Sequence, residues 1–84
     1  MAQITMYTTT FCPDCVRAKS FLQERGVVFR EVNIENDEFA EGIVLAANHG
    51  KRKVPTFELD GRYFACSPFN AASLAEQLGI PLNR

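Results

Sequence analysis

Apolar residues recur along the chain with two alternating periods, and the alternation spells out a series of strands and helices. Ile4-Thr5-Met6-Tyr7-Thr8 is a β-prone run with apolar side chains on both faces, which predicts a central strand covered on two sides. From Pro13 to Arg25 the period changes. Cys15, Ala18 and Leu22, with Phe21 beside them, form one helical stripe that Gly26 is suited to stop. Val28 to Asn33 reads as a second strand. Asn36 or Asp37 can cap a helix whose inward face is expected to be Phe39, Ala40, Ile43, Val44 and Ala47, closing near Asn48-His49-Gly50. Val54 to Leu59 and Arg62 to Ala65 flank Asp60-Gly61, a dipeptide that suits both positive-φ positions of a type I′ hairpin. Ser67 as cap and Pro68 as first helical residue then open a helix with Ala71, Leu74, Ala75 and Leu78 facing inward. The order strand, helix, strand, helix, strand, strand, helix predicts the α/β class. A right-handed crossover and a hairpin would build a four-stranded mixed sheet with three helices on its two faces.

Composition limits what such a fold can be. With 84 residues the chain makes one domain, 1–84, that buries roughly 60–65% of its unfolded surface. No repeat, low-complexity tract or linker interrupts it. Met1-Ala2-Gln3-Ile4 lacks the basic region and long apolar run of a secretion signal, and no stretch approaches membrane-spanning length. A cytoplasmic monomer with no membrane partner is therefore expected. Nine basic against ten acidic residues leave a net charge of −1, which offers nucleic acid no general attraction. Three cysteines are an odd number, which disfavours a disulfide scaffold and favours reactive or buried thiols.

The chemistry concentrates in Cys12-Pro13-Asp14-Cys15. Two thiols three positions apart at a helix start can form and break one disulfide, and Pro13 suits the first helical position. Unpaired N–H groups and the macrodipole stabilise an anion at a helix N-terminus, so Cys12 is the expected nucleophile. Helix N-termini and CxxC motifs bring thiols from about 8.5 down to between ~3.5 and ~7.5. Cys15 lies one turn further in, on the face of Ala18 and Leu22, and is the expected resolving thiol. Asp14 favours the helix but opposes a thiolate beside it, with Arg17 and Lys19 as the nearest counter-charges. A four-thiolate zinc site would need a second cysteine pair that the chain lacks, so no metal is expected.

Thr10-Phe11-Cys12-Pro13-Asp14-Cys15, Ala18-Lys19, Val54-Pro55-Thr56 and Asp60-Gly61 together resemble the glutaredoxins, small dithiol proteins of the thioredoxin superfamily. The resemblance covers nearly the whole chain and implies a thioredoxin-like fold. It also implies a thiol–disulfide oxidoreductase with no bound cofactor and a low-molecular-weight thiol as co-substrate. Its substrates would be disulfide-containing proteins or small mixed disulfides, and a thiol or flavoprotein reductase system would recharge it. The family pattern makes the Val54-Pro55 bond cis, faces Pro55 to the nucleophile, and pairs the Val54 backbone with the substrate. Proline inside a strand pattern removes a ladder donor, which independently places Pro55 at a strand's start or edge. An edge left open there can bind an extended peptide.

The departures from glutathione-dependent members cluster at the small-thiol pocket. Thr9 stands where a basic residue is usual, and Ala65-Cys66-Ser67-Pro68-Phe69-Asn70 replaces a Gly-Gly pair with its following acid. Lys51-Arg52-Lys53 remains for an anionic thiol, which makes Arg52, Lys53, Cys66 and Ser67 candidate substrate contacts. Thr8-Thr9, Arg52 and a proline opening the last helix look more like the mycoredoxins, whose usual CxYC motif has Tyr in place of Asp14. Both glutathione and mycothiol stay open as co-substrates. Phe11 adjoins the nucleophile and is a candidate apolar docking rim, while Phe39, Phe57 and Phe64 read as core. Cys66 is either a space-filling residue or a third redox thiol, and His49 reads as a helix-end residue. Two other functions compete. One is a protein-specific electron carrier recharged by thioredoxin reductase, such as a donor to ribonucleotide reductase. The other is a non-catalytic metal carrier, against which Pro13 argues.

Overall fold

Every residue of β1 (Ile4–Thr8) is buried because the sheet order β2-β1-β3-β4 places it between two neighbours. In this computed structural model, which describes residues 3–82, β1 pairs in parallel with β2 (Phe29–Asn33) and antiparallel with β3 (Thr56–Leu59). The ends of the expected domain 1–84 and the reading of Met1-Ala2 lie outside the described residues. Asp60 and Gly61, at φ of 54° and 79°, join β3 to β4 (Arg62–Ala65) with Leu59 opposite Arg62. That is the tight hairpin the dipeptide predicts.

Three helices complete the α/β architecture: α1 (Pro13–Glu24), α2 (Glu38–Ala47) and α3 (Ala71–Leu78). Side chains alternate across β1, so Ile4 and Met6 join Ala18, Phe21 and Leu22 of α1 and Leu74, Ala75 and Leu78 of α3 in one core. Tyr7 points the other way, into a second cluster with Ile34 and with Ala40 and Val44 of α2. Helices therefore cover both faces of the mixed sheet. Among the described residues, no helix is long and apolar enough to cross a membrane.

Three local expectations need correction. Phe39 is 80% exposed rather than inward. A 3₁₀ turn over Ile34–Asn36 precedes α2, and Asp37 caps the helix by accepting the Ala40 N–H at 3.1 Å. That start sets a phase in which Ala40 and Val44 meet the sheet, while Ile34 fills the adjoining space. The third strand begins at Thr56, leaving Val54 and Pro55 just outside it. Ser67-Pro68 does not open α3 either. The Cys66 N–H donates to the Pro55 carbonyl at 2.9 Å and the Phe69 N–H to Asp14 at 3.0 Å, so the chain stays non-helical until Asn70. Asn70 is the cap, its Oδ1 accepting the Ser73 N–H at 2.9 Å.

Candidate active site

Cys12 is the N-cap of α1, with extended backbone (φ −141°, ψ 99°) and Pro13 at the start of the helix. Its Sγ accepts the Cys15 N–H at 3.0 Å, so the sulfur sits on the donors that a helix start leaves unpaired. Cys12 and Cys15 are joined as a disulfide with Cα atoms 5.1 Å apart, and exposure falls from 9% at Cys12 to 3% at Cys15. Cys12 is the more exposed of the two.

The opposite wall comes from the segment before β3. The Val54-Pro55 peptide is cis, as the resemblance implied, and the Val54 carbonyl oxygen lies 3.7 Å from Cys12 Sγ. Pro55 is buried, and its carbonyl accepts the Cys66 N–H, which draws the end of β4 into the same place. Phe11, 93% exposed, projects beside the pair.

Two carboxylates anchor the turn that carries the cysteines. Glu35 Oε1 accepts the Thr10 N–H at 2.9 Å, and Asn33 Nδ2 donates to the Thr10 hydroxyl at 3.2 Å. The hydroxyl and N–H of Thr10 hold the Glu35 carboxyl below the usual carboxylate range. On the other side, Asp14 Oδ1 accepts the Phe69 N–H at 3.0 Å and meets Arg17 Nη1 at 3.4 Å. Neither Asn33 nor Glu35 stands out in the sequence, where Glu35 is one acid within a run from 35 to 41.

Known proteins resemble this chain in sequence and in fold. The family model for glutaredoxin matches residues 4–64. A glutaredoxin of Pseudomonas aeruginosa is 50% identical over 84 residues, covering 99% of each chain. The chain belongs to the glutaredoxin family. The crystal structure of a glutaredoxin from Archaeoglobus fulgidus superposes with a TM-score of 0.75 at 26% identity, covering 93% of this chain and 87% of that one. A crystallised thioredoxin-like protein gives a TM-score of 0.79 at 30% identity, covering 96% of this chain and 100% of that one. Glutaredoxins are thiol–disulfide oxidoreductases, and the Cys12–Cys15 pair equips this one for that chemistry.

Within this glutaredoxin the structure gathers Cys12, Cys15, Val54, Pro55 and Cys66 and pairs two of the other candidates with acids. Lys19, expected as a counter-charge for the nucleophile, instead meets Glu31 Oε2 at 2.9 Å, and the Thr8 hydroxyl donates to the same oxygen at 3.0 Å. Arg52 Nε lies 3.1 Å from Glu41 Oε2 on α2. Lys53 and Ser67 are exposed.

Cys66 is a free, buried thiol in the same cluster as the active pair. Burial pushes it above its ordinary value, and the Asp14 carboxylate adds to the rise. A raised folded-state value means stability is full below the ordinary thiol range, near ~8.5, and falls as pH climbs above it. Alkylation of the fully reduced protein at neutral pH should therefore label Cys12 quickly and Cys66 slowly. Peptide mapping after timed quenching measures both, and equal labelling rates would contradict the burial argument.

Proposed function

We propose that this glutaredoxin reduces protein disulfides and small mixed disulfides by a two-step dithiol exchange. In the reduced protein the Cys12 thiolate attacks one sulfur of the substrate disulfide. A bond forms between Cys12 and that half, while the other half leaves as a thiolate and takes up a proton. Cys15 then gives up its proton and attacks Cys12 Sγ, releasing the second half as a thiol. Two electrons have moved from the dithiol to the substrate, and the protein holds the Cys12–Cys15 disulfide. The observation that carries this reading is the Cys15 N–H placed 3.0 Å from Cys12 Sγ, a donor that stabilises the attacking anion.

The surrounding groups take supporting roles. Pro13 starts the helix whose dipole acts on Cys12, and the backbone at Val54 offers an extended substrate hydrogen-bonding groups beside the sulfur. Phe11 supplies an apolar rim. A low-molecular-weight thiol, glutathione or mycothiol, returns the protein to the dithiol. The pairing of Arg52 with Glu41 and the side chains of Cys66 and Ser67 in the loop after β4 favour a second reading, an electron carrier recharged by thioredoxin reductase. One assay separates them. The oxidised protein is offered glutathione with its reductase, mycothiol with its reductase, and thioredoxin reductase in parallel. Recovery of the dithiol with a small thiol supports the first reading, recovery with thioredoxin reductase alone supports the second, and no recovery in any arm overturns both.

A further inference from the structure

The carboxylate of Asp14 is fixed before any substrate arrives. Its Oδ1 holds the Phe69 N–H at 3.0 Å, across the gap between the first turn of α1 and the loop leading to α3. That loop begins at Cys66, which packs in one cluster with Cys12 and Cys15, so the carboxylate stands beside that cluster, two residues from the nucleophile. Backbone N–H groups ahead of a helix are ordinarily where an incoming carboxylate lodges. Here the protein's own carboxylate takes the Phe69 donor, and the Asn70 side chain takes the Ser73 donor at 2.9 Å. Glu35 is likewise pinned by the N–H of Thr10, two residues before Cys12.

Cations also stand near these acids. Arg17 touches Asp14 at 3.4 Å with its side chain 63% exposed, a weak surface pair. Lys19 and Arg52 pair with Glu31 and Glu41, and Arg52 also acts on Glu35. Lys53 faces solvent ahead of Val54. Asp14, 26% exposed and held by a backbone donor, is thus the fixed charge two residues from Cys12, while Lys51 and Lys53 are exposed where salt screens them readily.

We propose that Asp14 is a specificity-determining residue that slows exchange with anionic low-molecular-weight disulfides relative to neutral ones and speeds it with cationic ones, including disulfides set in basic stretches of proteins. The inference rests on the exchange reaction proposed above. Its test follows one turnover of the pre-reduced protein by thiolate absorbance, with cystamine, hydroxyethyl disulfide and glutathione disulfide as cationic, neutral and anionic oxidants. In each case the Cys12–Cys15 dithiol loses two electrons and the small disulfide becomes two thiols.

Asp14→Asn removes the charge and keeps an oxygen for the Phe69 N–H. Its effect on the nucleophile itself is common to all three oxidants and cancels in their ratios. The anionic-to-neutral rate ratio should rise about fivefold in Asp14→Asn and the cationic-to-neutral ratio should fall by about as much, the size of one partly solvated charge contact. Asp14→Glu, which keeps the charge, should stay near the wild-type ratios. Raising the salt on the unmodified protein should move both ratios as Asp14→Asn does. Ratios that do not change in Asp14→Asn, or in salt, overturn the inference while leaving the exchange reaction intact. Failure of all three oxidants with the unmodified protein overturns the exchange reaction, and the inference with it.

Discussion

Serine at position 12 should lower turnover about a thousandfold or more while leaving the protein folded. Serine is among the preferred residues at a helix N-cap, and its hydroxyl can accept the Cys15 N–H as Cys12 Sγ does at 3.0 Å. The helix start is therefore preserved. What disappears is the ionisable sulfur, because a hydroxyl without an adjacent base does not become an anion at neutral pH. Cys15, at 3% exposure, lies beneath the surface and cannot take over the first attack. Cys66 cannot either, since burial disfavours its thiolate. Cys15→Ser should behave differently: the first exchange proceeds, the second does not, and the mixed disulfide on Cys12 accumulates as a mass increase equal to the bound half. Steady-state rates and intact mass after a brief exposure to a small disulfide measure both variants. More than about a tenth of wild-type turnover in Cys12→Ser, with normal thermal unfolding, would sink the assignment of Cys12 as nucleophile.

The site was readable in the sequence where local chemistry decides it and hidden where distant groups compete. Cys12 at a helix start, Pro13 in the first helical position and Asp60-Gly61 in the hairpin follow from rules spanning three or four residues, and the structure agrees. The cis Val54-Pro55 bond came from family resemblance, since local rules say only that proline belongs at a strand's margin. Phe39 misled because Phe39 with Ile43 and Ala40 with Val44 are both spaced for one helical face. The choice between them depends on the 3₁₀ turn at Ile34–Asn36, which carries no strong signature. Ser67-Pro68 and Asn70 are both acceptable helix openings. Bonds from Asp14 and Pro55, separated from their partners by 55 and 11 positions, favour the later one. Lys19 and Arg52 look like free cations near a thiolate until the fold brings Glu31 and Glu41 alongside. Such pairings depend on which faces meet, and periodicity says nothing of them.

Phe57→Ala should be the most damaging change away from the cysteines, costing about 3–5 kcal/mol. Phe57 is fully buried in β3, directly opposite Met6 on β1 and Phe64 on β4, and its ring stacks on Phe64 at 5.5 Å. Removing the ring deletes transfer free energy and leaves a void whose walls are two paired strands, which cannot collapse without breaking the ladder. At about 0.05–0.15 kcal/mol per residue, the 84 residues hold roughly 4–13 kcal/mol in total, so the loss takes a third or more of the margin in most of that range. The midpoint of thermal unfolding should drop by roughly 15–30 °C. Phe39→Ala is the natural control: the same residue type at 80% exposure should change stability by no more than about 0.5 kcal/mol. The damage reaches the chemistry as well. Thr56, Pro55 and Val54 immediately precede Phe57, and Val54 holds the carbonyl that faces Cys12 Sγ at 3.7 Å. A loosened start to β3 should therefore lower turnover well below the unfolding midpoint, by a factor that a Phe57→Leu variant largely restores. Urea titration of the three variants alongside their rates checks this. A loss below about 1.5 kcal/mol for Phe57→Ala would mean that β3 is not the keel joining the core to the redox site.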